Sequence, residues 1–593
     1  MLKQQGRSTG SNKKTLSHHQ LNKTKSKTDV RLKILNIVVF LLGFLTIVKL
    51  FDLQVLKFSF YSALASDRHE IFQELIPERG EIYFQDTRTG ELKPAVINLN
   101  LSSVYIQPNQ VKSEEKENAA KKLAEILELN EEEVLIKLQK ENDPYEPIKG
   151  QIQKETVEII KAANIEGVGF RPERVRFYPE KNIGSQILGY FGFVDDQRRG
   201  CYGIEGAFEE ELAGLAGQIQ TEKDPFGQFI TVGQSDFQKA RDGLDIILTI
   251  DQVIEFNACQ KLNLAVQRHG ADSGSLIVLE PETGAILAMC NYPDYDPNNY
   301  SEVRDIKFFK NSAIADTYEP GSVFKAITMA AGLDTNKVSP LTTYEDTGSV
   351  TVAEYTITNS DGKIYGLQTM VDVLTESINT GAIFVERQVG REVFGQYVED
   401  FGFGQLTGIE LENEAKANIS TLKQEGIYSD TASFGQGITV TPLQLAAAYG
   451  AIANGGKLLK PYIIDKTIKE NGQEIKTQPQ IVRQVISPRA ATLLTGMLVS
   501  VVENGHAKRA MVDGYHLAGK TGTAQISYED RRGYSERTNH SFIGFGPADD
   551  PRFVILVKLE DPKDVPFSAS SAAPLFGEIA EFILNYYQVP SQG

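Results

Sequence analysis

Cysteine and histidine are scarce in this chain, at three and seven of 593 residues. Cys201, Cys259 and Cys290 are widely spaced, with no C-x-x-C and no adjacent histidine. No disulfide framework and no zinc site is therefore expected, and the three read as small buried residues. The histidines form no H-E-x-x-H or H-x-x-H, so a metal mechanism has no ligands, and neither metal nor cofactor is expected. None of the glycines at 189, 192, 200, 203, 206, 214 and 217 opens a helix after a strand in a G-x-G-x-x-G or G-K-[ST] arrangement, so they read as tight turns rather than a phosphate loop. Positive charge is short outside the N-terminus. Residues 1–33 carry nine Lys/Arg against the single acid Asp29, and the net charge of -17 leaves about -25 for everything after them. An acidic body argues against nucleic acid as a partner.

The basic tail, 1–33, runs into ILNIVVFLLGFLTIVKL, Ile34 to Leu50, apolar except for Asn36 and Lys49. A bilayer core of about 30 Å needs about 20 helical residues, so a single transmembrane helix over 34–54 is expected, with Lys49 snorkelling. The positive-inside rule puts the tail in the cytoplasm and the rest outside. Cleavage at Ala63-Leu64-Ala65 is the competing reading, but that site lies well past the apolar run, beyond Asp52 and Lys57.

Residues 58–240 mix alternating strands such as AVINLNLSSVYIQ with acidic helices such as KENAAKKLAEILELNEEEVLIKLQK, whose charges coat solvated faces. A second domain is expected over 241–588. SLIVLEPETGAILAMCNYP reads as a hairpin, with strands at Ser275 to Leu279 and Ala285 to Cys290. YHLAGKTGTAQIS, HSFIGFGPA and RFVILVKLED add three strands, and a helix over about Pro574 to Tyr587 closes the chain. Mostly helical sequence lies between the two sets. Short connections favour antiparallel pairing, so the fold class is α+β, with one five-stranded antiparallel sheet built from both ends of the domain and faced by helices.

Within that domain, TYEPGSVFKAITMAAG places Ser322 after a Pro-Gly break and Lys325 one turn on, on the same face. S-x-x-K also occurs at Ser11, Ser113, Ser360 and Ser420. Only Ser322 opens an apolar helix inside a folded domain, where unpaired N–H groups suit a developing oxyanion. A plain N-cap is the alternative. S-x-N occurs once, at Ser377-Ile378-Asn379, and K-T-G once, at Lys520-Thr521-Gly522 with Thr523 following. Each pattern is weak by itself. Together, in this order and in one domain, they are a strong signal.

This triple is the signature of penicillin-binding proteins and class A β-lactamases. The chain resembles the class B penicillin-binding proteins, the monofunctional peptidoglycan transpeptidases, through TIDQ (Thr249 to Gln252), YPDYDPNNY (Tyr292 to Tyr300), SFGQGITVTPLQLAAAYGAIANGG (Ser433 to Gly456), PERG (Pro77 to Gly80), RFYP (Arg176 to Pro179) and YGIE (Tyr202 to Glu205). The segment EIYFQDTRTG after Gly80 departs from the shorter turn usual in the family. The resemblance implies an acyl-enzyme on Ser322, Lys325 as the base that must be neutral, Ser377 as proton relay, and Asn379 holding Lys325 and the substrate amide. It also implies that Lys520, Thr521 and Thr523 take the terminal carboxylate, that the Ser322 and Thr523 N–H groups form the oxyanion hole, and that Gly522 lets the substrate lie along its strand. Residues 58–240 become a pedestal. Implied partners are D-Ala-D-Ala stem peptides with an amine acceptor, β-lactams as covalent inhibitors, and division proteins with a membrane-embedded glycosyltransferase, for which this chain has no sequence of its own. The implied location is the bacterial cell membrane, single-pass. The wording of SFGQG, of HSFIGFGPADDPRFVILVKLEDP and of the RFYP–YGIE pair looks septal rather than elongation-type. A D,D-carboxypeptidase, a β-lactamase and a non-catalytic β-lactam sensor or division scaffold are the alternatives.

Overall fold

The computed structural model describes residues 25–51, 57, 77–140, 143–195, 197–219, 237–352, 354–528, 530–531 and 533–591. A helix runs over Lys25–Phe51, so it begins inside the expected tail, and residues 52–54 of the expected span lie outside the described residues. Its apolar side chains from Ile37 to Phe51 are exposed, Phe40 by 83% and Ile47 by 66%. Among the described residues no helix is long and apolar enough to cross a membrane.

Beyond this helix the chain forms two compact units, one holding residues 101–173 and the other 74–100 with 174–593. The sequence boundary near 240 thus falls inside the larger unit. In the smaller unit the helices Lys116–Leu127, Glu131–Leu138 and Lys154–Ala162 bury Leu123, Leu127, Leu138 and Ile160 against strand residues Val104, Ile106 and Ile148. Their many charges stay outward, as the amphipathic pattern requires. Asn130 starts the second of these helices by accepting a hydrogen bond from Glu132 N, which satisfies an otherwise unpaired donor.

In the larger unit the motifs shared with the pedestal of the family converge on one buried charge. Glu205 is fully buried; its Oε2 accepts from Arg79 Nε at 2.9 Å and its Oε1 from Arg176 Nε at 2.7 Å. Burial opposes ionisation of Glu205, but the Arg176 and Arg79 guanidinium groups outweigh it and hold the carboxyl below its ordinary value. Asn298 of YPDYDPNNY brackets the same place, donating to Tyr178 O at 2.9 Å and accepting from Tyr178 N at 3.0 Å. The divergent segment after Gly80 packs instead against the end of the C-terminal helix, Asp86 accepting from Tyr586 OH at 3.0 Å.

The central sheet has five antiparallel strands: β1 (Ser273–Leu279), β2 (Ile286–Tyr292), β3 (Ala518–Ser527), β4 (Tyr534–Gly546) and β5 (Phe553–Glu560), in the order β2-β1-β5-β4-β3. The two ends of the domain meet at β1 and β5, as expected. β1, β2 and β5 are buried on both faces because helices cover the sheet, which is why their sequences run apolar without alternation. Helix α1 (Gln252–His269) is capped by Asp251, which accepts from Val253 N and Ile254 N, and α4 (Ala572–Tyr586) closes the chain. Between the sheet halves lie α2 (Lys325–Asp334), α3 (Asn379–Val389) and further helices, but also the hairpin Ser349–Val352 with Tyr355–Thr358, flanked in the chain by the antiparallel pair Thr343–Asp346 with Gly366–Thr369.

One expectation about cysteine is overturned. Cys259 on α1 and Cys290 on β2 form a disulfide, with Sγ–Sγ 2.10 Å and Cα–Cα 5.3 Å. Thirty-one residues of separation give no sequence signal; the pairing arises because α1 packs along β2. Cys201 is free and partly exposed.

Candidate active site

Ser322 lies in a 3-10 turn, Gly321–Phe324, that leads directly into α2 at Lys325. Pro320 precedes the turn, and Gly321 takes φ +60°, a left-handed value that costs glycine little. α2 is buried on all sides from Lys325 to Leu333, so the Ala-rich composition that gives this helix its propensity also lets neighbours approach closely. Lys325 is 1% exposed.

The S-x-N segment sits between the helix Met370–Thr375 and α3. Ser377 holds φ +58°, uncommon for a residue with a Cβ. This turn aims both its carbonyl and its hydroxyl at Lys325: Nζ donates to Ser377 O and, at 3.2 Å, to Ser377 Oγ. Lys520, on β3 and also 1% exposed, donates to the same Oγ at 2.9 Å. With both acceptor sites of the hydroxyl filled, the Ser377 O–H is directed away from the two lysines. Burial lowers Lys325 well below its ordinary value, and the Lys520 charge lowers it further; Asp361 acts weakly the other way. Burial lowers Lys520 to about 7.

Asn379 is placed otherwise than expected. Its Nδ2 donates to Thr358 O at 2.9 Å and its N to Asn359 Oδ1 at 3.1 Å, and among the described residues it makes no hydrogen bond to Lys325; the contact to Lys325 expected of it is made by Ser377. Asn359 and Asp346, which the sequence reading missed, anchor this turn: Asp346 accepts from Thr380 Oγ1 at 2.6 Å and from Asn359 Nδ2 at 3.0 Å.

β3 is the edge strand of the sheet, so one row of its backbone groups is free to pair with an added chain. Thr521 and Thr523 are half-buried and alternate with buried Gly522. Thr523 Oγ1 is held 3.1 Å from Ser568 Oγ, a contact without sequence signal. Gly522 has a packing role of its own. A Cβ there would meet Ser541 Oγ at 2.5 Å, Pro320 O at 2.9 Å and Val323 Cγ1 at 3.0 Å, so the missing side chain admits the nucleophile turn itself. Gly435 of SFGQG has the same use: it takes φ +82°, its Cβ would lie 2.2 Å from Gly321 O, and its carbonyl accepts from Gly321 N at 3.0 Å.

Ser322, Lys325, Ser377, Lys520 and Thr523 thus occupy one place formed by a helix start, a strained turn and a sheet edge, the arrangement of a serine acyl-transfer enzyme with a lysine base. Residues 274–581 match the penicillin binding protein transpeptidase domain family and residues 74–248 the penicillin-binding protein dimerisation domain. The chain belongs to the class B penicillin-binding protein transpeptidases. Stage V sporulation protein D of Bacillus subtilis is 35% identical over 529 residues, 87% of this chain and 80% of that protein. A peptidoglycan D,D-transpeptidase FtsI homolog of Mesostigma viride is 29% identical over 601 residues, 96% of this chain and 98% of that one. Among solved structures, penicillin binding protein 3 of Mycobacterium tuberculosis complexed with aztreonam has a TM-score of 0.68 at 25% identity, covering 87% of this chain and 97% of that one. Penicillin binding protein 2X of Streptococcus thermophilus has 0.74 at 22%, covering 87% and 81%, and shares the fold.

Proposed function

We propose that this transpeptidase cross-links peptidoglycan stem peptides through an acyl-enzyme on Ser322. The observation that carries this assignment is the convergence of Lys325 and Lys520 on Ser377 Oγ beside the Ser322 turn. Neutral Lys325 takes the proton of Ser322 Oγ as it attacks the carbonyl of the penultimate D-Ala. Ser377, its own O–H turned outward, passes its proton to the leaving D-Ala amine and takes in its place the one that Lys325 received, which leaves Lys325 neutral again. The cation of Lys520 and the hydroxyls of Thr521 and Thr523 receive the terminal carboxylate, while the N–H groups of Ser322 and Thr523 stabilise the oxyanion. Splitting one acyl transfer into two steps lets an amine of a second stem peptide replace D-Ala. β-Lactams acylate the same hydroxyl.

The test is Ser322→Ala. A fluorescent penicillin should label the native chain and not the variant, and a stem-peptide donor with an amine acceptor should give cross-linked product. Persistent labelling of the variant overturns the assignment of Ser322, and free D-Ala without cross-linked product indicates a carboxypeptidase.

The apolar side chains exposed from Ile37 to Phe51 support an anchor over 34–54 with the tail in the cytoplasm and the pedestal and catalytic domain outside the cell membrane. Such a chain meets division proteins and a membrane-embedded glycosyltransferase through its anchor and its pedestal, and we assign it to the septum. Depletion should give filamentous cells, with a tagged copy at midcell; swollen cells with the tag along the side wall would place it in elongation.

A further inference from the structure

The Cys259–Cys290 bond lies far from Ser322 in the sheet, since β2 is the edge opposite β3. It is not sealed in the core. Cys259 is partly exposed while Cys290 is 3% exposed, and both line a small cleft with Asn182, Asn263 and Asp294. The same cleft is lined by Glu255, a fully buried residue one turn before Cys259 on α1. Glu255 Oε2 accepts from Met289 N at 2.8 Å, whereas Oε1 is buried without a hydrogen-bond partner. A carboxylate oxygen and both sulfurs lie within 4.8 Å of one another. Burial raises Glu255 to about 8, against a modest lowering by the Met289 N–H, and no charged group contributes. The other titratable groups lining the cleft are Asp294, held by Asn182 Nδ2 at 2.6 Å, and Tyr292. A buried carboxylic acid beside a disulfide, with one of its oxygens unpartnered, is placed to supply a proton when the bond opens.

We propose that Cys259–Cys290 is a thiol–disulfide exchange site for an external dithiol, with Glu255 as proton donor to the leaving sulfur. A thiolate of the dithiol attacks the accessible Cys259 Sγ. The S–S bond breaks, its electron pair leaves on Cys290 Sγ, and Glu255 transfers its proton there, because a thiolate at that buried position is costly. The Cys290 thiol then has an acceptor in place, Glu255 O at 3.8 Å from Sγ. The second thiol of the dithiol attacks its own sulfur in the mixed disulfide and releases Cys259. The dithiol loses two electrons and two protons to become a cyclic disulfide, and the protein gains two thiols; Glu255 is reprotonated from solvent.

The test uses the full chain without denaturant. A brief exposure to glutathione, a monothiol, should place the adduct on Cys259 by peptide mapping. Reduction by dithiothreitol, followed by alkylation and intact mass, should proceed while fluorescent penicillin still labels the protein. The rate constant per thiolate should fall as pH rises through the region near 8, and Glu255→Gln should lower it about 10²-fold below that pH and flatten the profile. A bond that opens only on unfolding, an adduct on Cys290, or an unchanged profile in Glu255→Gln would overturn the proposal.

Discussion

At the residue scale, two buried lysines share one hydroxyl, and their chemistry separates them. Burial and the Lys520 charge together hold Lys325 well below its ordinary value, which poises it as base; burial lowers Lys520 to about 7. The sign of the coupling gives a prediction. Removing the cation in Lys520→Ala takes away a repulsion that favours neutral Lys325, so the Lys325 pKa rises and the basic form is reached only at higher pH. The rising limb of the penicillin acylation rate against pH should therefore move to higher pH in the variant. A limb that stays in place would mean that Lys520 does not act on Lys325 through its charge.

At the scale of elements, the nucleophile turn is positioned by what its neighbours leave out. β3 approaches it at Gly522, and the SFGQG segment approaches it at Gly435. Gly435→Ala would meet two penalties, a Cβ at φ +82° and a contact of 2.2 Å with the Gly321 carbonyl. Backbone can relieve that contact only by shifting, and overpacking of this kind costs about 1–3 kcal/mol. The expected outcome is a chain with lowered thermal midpoint and penicillin acylation reduced by more than about tenfold, a shift of roughly 1.4 kcal/mol in the barrier. Wild-type acylation in this variant would show that the turn is held by α2 alone.

For the molecule as a whole, PERG, RFYP and YGIE do no chemistry; they meet at Glu205. Arg79 and Arg176 enclose its carboxylate, so removing it leaves the buried Arg176 guanidinium without its carboxylate and the half-buried Arg79 with Glu209 alone. Glu205→Ala should destabilise the larger unit by about 3–5 kcal/mol, the usual cost of breaking a buried pair by deleting one member. Calorimetry checks this, with penicillin labelling of the remaining folded fraction expected to stay normal. A loss below about 1 kcal/mol would mean that the network behaves like an exposed ion pair.

By itself the amino-acid sequence determined what is local. Helix and strand periods showed the β1–β2 hairpin, the three C-terminal strands and the closing helix, because side-chain alternation and burial pattern are written in neighbouring residues. It also determined the catalytic candidates Ser322, Lys325, Ser377 and Lys520, since each motif sits within a few residues on one element. Tertiary structure decided what depends on distant segments. It paired Cys259 with Cys290 by laying α1 along β2, moved the contact with Lys325 from Asn379 to Ser377 by a left-handed turn, and gave Gly522 its reason in the packing of Pro320 and Val323. Asp346, Asn359 and Ser568 carried no signal, because the groups they hold lie on other elements. The physical reason is the same in each case: a hydrogen bond or a close approach between segments far apart in the chain is set by the packed core, and the residue types on either side admit many partners before that core forms.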